Sequence, residues 1–111
     1  MEKFENVEEE YRLKRRTYEE QENDLLRKRN KGIETLEEVQ DRSSYYLKDF
    51  VPDGAMLTRG LHQIELMKKE ILEMARADRK NLARKLEKLD EEYHSQMKKL
   101  IEKEEKGDYL K

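Results

Sequence analysis

Cysteine and tryptophan are absent from the 111 residues, proline occurs once, histidine twice and glycine four times. Without cysteine there are no disulfides and no thiolate metal sites, the usage expected in a reducing compartment. Two histidines and no thiol leave no nucleophile, base and orienting group to assemble. The scattered glycines make no phosphate-cradling loop. No apolar run approaches the roughly 20 residues of a membrane span. The opening Met1-Glu2-Lys3-Phe4-Glu5 lacks the basic and apolar segments of a signal peptide. These absences predict a protein that is not an enzyme, takes no cofactor or metal, and resides in the cytoplasm, leaving it only together with a partner.

What is present is charge. Charged residues make up 47% of the chain against 34% hydrophobic, the composition of coiled coils and long solvated helices. So little apolar surface cannot offset the roughly 1–2 kcal/mol of backbone ordering per residue in a compact globule. One domain spanning residues 1–111 is expected. Residues 1–54 carry 11 basic and 15 acidic side chains, and residues 55–111 carry 14 and 12. Two arms of opposite sign favour antiparallel pairing, although each exposed ion pair contributes only about 0–1 kcal/mol.

The break between the arms lies at Phe50-Val51-Pro52-Asp53-Gly54. Pro52 removes a backbone donor and pushes Val51 out of helical geometry, while Gly54 is free to take positive φ. The predicted fold is therefore all-α, a long antiparallel two-helix hairpin. Arm one runs over about 3–49 and arm two over about 55–106, closed by Lys106-Gly107. Arm one opens with a seven-residue rhythm, Phe4, Tyr11, Tyr18 and Leu25. Only Val7 is apolar among the companion positions, so this half of the seam is weakly held. Asn30 and Gly32 leave room for a kink, since glycine costs about 1 kcal/mol inside a helix. Paired positions sum to about 106 in this scheme, which sets Gly32 opposite Met74 and Ala75.

Beyond Gly32 the apolar pattern thickens. Ile33, Leu36, Val39, Tyr46, Leu47 and Phe50 share one stripe, with Tyr45 on the opposite side. After the turn, Met56, Leu57, Leu61, Ile64, Met67, Ile71 and Met74 continue a helical spacing, which Leu72 broadens. The turn-proximal half thus holds more apolar surface than two helices can hide, and excess apolar surface predicts a partner. The predicted partner-binding residues are Leu36, Phe50, Leu57, Leu61, Ile64, Met67, Ile71, Leu72 and Met74, some of which must face the hairpin's own seam. A helical protein or a second copy of the chain would each serve.

Two other constellations weigh less. Glu91 and His94 have the Glu-x-x-His spacing of di-iron bundles, but His62 lacks the matching glutamate, so a surface role is expected. The basic run Arg27 to Lys31 is flanked by acidic residues and has no interleaved aromatics, so nucleic acid is not the expected partner.

Two arms about a central turn, with no cysteine, resemble the WXG-type small proteins of type VII secretion. More narrowly, the charged first arm and the segment Leu82-Ala83-Arg84-Lys85-Leu86-Glu87-Lys88-Leu89-Asp90-Glu91-Glu92-Tyr93 resemble the small helical (Lap-type) partners of LXG toxins in Gram-positive bacteria. That resemblance implies a targeting factor that binds the helical N-terminal domain of such a toxin. The chain departs from the pattern in having Phe50 to Gly54 in place of a Trp-x-Gly turn. The Tyr-x-x-x-Asp/Glu export signal is missing after the second helix, where Tyr109 has only two residues behind it. Internal matches fall at Tyr18/Glu22 and at Tyr45/Asp49, the second being the candidate secretion motif. An adaptor whose signal is supplied by another subunit fits these departures. The competing reading is a homo-oligomeric structural coiled coil or a cytosolic chaperone of another pathway.

Overall fold

In a computed structural model the chain is all-α, a hairpin of two long helices, α1 (Glu2–Leu47) and α2 (Ala55–Tyr109). The structure describes residues 2–47, 49 and 54–109, with side chains described from 3 to 106 within those ranges. The helices form because both segments are built from strong helix formers and contain no proline. The predicted turn residues Phe50, Val51, Pro52 and Asp53 lie outside the described residues. Gly54 lies within them and takes the expected positive φ, at 71°. Its carbonyl accepts from the Thr58 backbone N–H at 2.9 Å and from the Thr58 hydroxyl at 3.0 Å, so Gly54 opens α2. A Cβ at Gly54 would meet no atom within 4 Å. The constraint there is the dihedral angle rather than space.

Two expectations about helix ends change. No break occurs at Asn30 to Gly32, and α1 runs through both residues. The helix-lowering effect of one glycine is outweighed by good helix formers on either side. At the other end, α2 continues past Gly107 to Tyr109.

The chain divides into two compact units, residues 1–22 with 80–111, and residues 23–79. In the first, Leu82 and Leu89 are buried, and Phe4, Val7, Tyr11, Tyr18, Leu86, Tyr93, Met97 and Leu100 are half-buried. The Tyr11 and Tyr93 rings stack with centroids 4.1 Å apart. The Tyr11 hydroxyl donates to Asp90 Oδ1 at 2.6 Å and accepts from the Arg15 guanidinium at 2.7 Å. Val7 and Leu100 share an open groove of about 440 Å³ with Gln96, Lys99 and Lys103.

In the second unit Ile64 and Ala75 are buried, and Leu25, Leu26, Ile33, Leu36, Leu57, Leu61 and Ile71 are half-buried. A Cβ on Gly32 would lie 3.3 Å from Ile71 Cδ1, so Gly32 packs against Ile71, and Met74 and Ala75 line the same groove with it. Gln40 donates to Glu65 at 3.2 Å and accepts from Lys68 Nζ at 3.3 Å. The contacts Gly32–Ile71, Gln40–Glu65 and Gln40–Lys68 give pairing sums of 103, 105 and 108, which bracket the expected 106.

Candidate interaction surface

The inner positions of α2 in the second unit step by four and three residues: Leu57, Leu61, Ile64, Lys68, Ile71 and Ala75. This is the alternation of a coiled-coil seam. It takes in Lys68, whose side chain is only 18% exposed and whose ammonium reaches Glu65 at 3.0 Å. A lysine can occupy such a position because its alkyl stem packs among apolar neighbours while the charge meets Gln40 and Glu65 at the edge. Lys68 in turn holds the Glu65 carboxyl below its ordinary pKa, with Gln40 adding to the effect.

The structure sorts the predicted partner-binding residues into two groups. Leu36, Leu57, Leu61, Ile64 and Ile71 belong to the hairpin's own seam, Ile64 buried and the others half-buried. Met67, Leu72 and Met74 are exposed, Met67 at 49% and Met74 at 67%. Phe50 lies outside the described residues. Leu61, expected at the stripe's edge, is thus more inward than Leu72 or Met74. Tyr45 is 68% exposed at the end of α1, and Asp49 is exposed just beyond it in a turn. The two therefore do not share a continuous helix.

Val39, Tyr46 and Met56, which lie on the apolar stripes read from the sequence, are all exposed, Met56 at 76%. Residue type could not separate seam from flank, because both are apolar here. The unbroken alternation of four and three through Lys68 and Ala75 is the signal that would have done so.

These exposed side chains are not scattered. An apolar groove of about 230 Å³ between the helices is lined by Leu25, Lys28 and Gly32 from α1 and by Ile71, Met74 and Asp78 from α2. Val39 and Tyr46 follow Gly32 at steps of seven, and Met67 and Met56 precede Met74 by seven and eighteen residues, near-whole numbers of helical turns. All five therefore lie on the groove's side of the second unit. Gly60 falls on the same line, and a Cβ there would meet nothing within 4 Å. The face is apolar, rich in flexible thioethers and dented by two glycines, properties that suit packing against another helix.

Chemistry of other kinds finds little footing. Among the described residues, no group of three or more His, Asp or Glu side chains is placed to hold a metal ion, and no helix is long and apolar enough to cross a membrane. No known protein family, curated protein or solved structure matches the chain.

Proposed function

We propose that this chain is a non-enzymatic helical adaptor that binds a helical partner through the apolar surface of residues 23–79. One observation carries the reading. Of the eleven large hydrophobic side chains exposed among the described residues, nine belong to this unit: Val39, Tyr45, Tyr46, Leu47, Met56, Leu66, Met67, Leu72 and Met74. The other unit exposes only Leu13 and Ile101. Five of the nine, Val39, Tyr46, Met56, Met67 and Met74, share the groove's side, and exposed apolar surface gathered in this way marks an interaction site. The resemblance to Lap-type proteins supplies the finer proposal: the partner is the helical N-terminal domain of an LXG toxin, and the adaptor works in the cytoplasm, guiding it to a type VII secretion apparatus. The exposure of Tyr45 and Asp49 keeps both within reach of a receptor.

The test is co-expression of the tagged chain with such a toxin domain, followed by co-purification. Met67→Asp, Leu72→Asp and Met74→Asp are each expected to keep helicity and lose the toxin domain, since burying an unpaired carboxylate costs several kcal/mol. Arg15→Glu, in the other unit, is expected to leave the toxin domain bound, its effects confined to the local Tyr11–Asp90 network and to salt dependence. Binding that survives the aspartate variants but not Arg15→Glu would move the contact to the charged unit and refute the proposal.

A further inference from the structure

We infer that the methionine face of residues 23–79 is also self-complementary, and that a second copy of the chain covers it, the two turn ends side by side. This inference goes beyond the adaptor reading and stands without it. It rests on the order of charges and apolar groups along the two helices. With Gly32 level with Ile71 and Gln40 between Glu65 and Lys68, an α1 residue numbered n is level with α2 near 105 − n, about the mean of the sums 103, 105 and 108. On the groove side, Tyr46 of α1 is then level with the stretch beside Met56, and Val39 with the stretch beside Met67. Lys31 lies near the level of Glu70, and Lys28 near that of Asp78.

A two-fold axis running along the helices lays α1 of one copy over α2 of the other without changing level. Tyr46 then meets the second copy's Met56, and Val39 its Met67. Lys31 and Lys28 meet its Glu70 and Asp78. Every such contact occurs twice, as an isologous interface requires. The side-chain charges of Lys28, Lys31, Glu70 and Asp78 make no ion pair or hydrogen bond among the described residues of their own chain, so they remain available to a partner. Gly60, where a Cβ would meet nothing within 4 Å, lowers the surface where the second copy's side chains enter. An axis across the helices would instead place Lys28 over the apolar end at Tyr46.

The face extends about 27 Å along the helices and roughly two helix diameters across. Its buried area is on the order of 600 Å² per copy, the low end for specific complexes. Arg42 and Arg59, near the turn on the same side, bring like charges to similar levels and further limit affinity. A concentration-dependent dimer with micromolar dissociation constant is the expected form.

Sedimentation velocity of the full chain across about 1–200 μM would measure it, the range being set by that expected affinity. The wild-type chain should pass from monomer to dimer. Met67→Asp with Met74→Asp should remain monomeric with unchanged helical circular dichroism. Lys28→Glu with Lys31→Glu should weaken the dimer by about tenfold or more, as should Glu70→Lys with Asp78→Lys. Combining all four reversals leaves the net charge at its original value and should restore dimerisation. A wild-type chain that is monomeric throughout overturns the inference. So does a four-fold reversal that fails to rescue while each pair weakens, because the rims would then not face one another.

Discussion

Gly32 shows how one residue sets the distance between helices. Ile71 rests on its bare backbone, with Cδ1 3.3 Å from where a Cβ would be. Gly32→Ala brings about 1 kcal/mol of helix propensity and requires Ile71 to shift by a few tenths of an ångström. The two effects are expected to leave thermal stability within about 1 kcal/mol of wild type. Gly32→Leu has no such compensation and is expected to cost about 1–3 kcal/mol by overpacking, read from a thermal or urea melt. Tyr11 makes a second residue-scale test. Its hydrogen bond to Asp90, with partial burial, raises the hydroxyl's pKa, and Arg15 opposes the rise. A raised folded-state value means that the contribution is fully present below tyrosine's ordinary pKa and is lost as pH rises through the folded value. Tyr11→Phe should therefore flatten the alkaline limb of the stability profile while preserving the ring stack on Tyr93.

At the scale of elements, the seam of α2 is interrupted by Lys68 between Ile64 and Ile71. Lys68→Leu is expected to raise stability by about 1 kcal/mol through apolar burial while leaving Gln40 and Glu65 without their shared cation. Glu65 has its pKa lowered by Lys68 and Gln40. A lowered value places its stabilising contribution above the ordinary carboxylate pKa, to be lost as pH falls through the folded one. Lys68→Leu should thus gain least near neutral pH, where the lost contact with Glu65 offsets part of the apolar gain, and most at acid pH, giving a shallower loss on acidification, measured by thermal unfolding at several pH values. Much of this architecture was legible in advance. The rhythm of Phe4, Tyr11, Tyr18 and Leu25, the leucine ladder after Leu82 and the positive φ of Gly54 are all local patterns. The pairing sum of about 106 was also within reach of the turn position, but the level of each single contact was not, because a shift of one to three residues between helices leaves each helix's own pattern intact. Lys68 was missed because a charge reads as solvent-facing until its neighbours across the seam are known.

For the molecule as a whole, the division of labour between units is the informative feature. The unit of residues 1–22 and 80–111 buries its leucines and tyrosines and surrounds them with ion pairs such as Lys14–Glu10 and Arg16–Glu20. The unit of residues 23–79 leaves its thioethers outside. Apolar content was legible as an excess in this half, but the side on which it gathers was not, since that depends on which flank the neighbouring helix leaves open. The exposed methionines also make the chain its own chemical reporter. With no cysteine to compete for oxidant, mild peroxide should convert Met56 and Met74 fastest to sulfoxide, with the less exposed Met67 behind them. Met97, half-buried in the other unit, provides an internal reference. Peptide masses before and after mixing with any candidate partner would then read occupancy of the face directly. A partner seated there slows oxidation of those three sulfurs relative to Met97, and one bound elsewhere leaves the ratio unchanged.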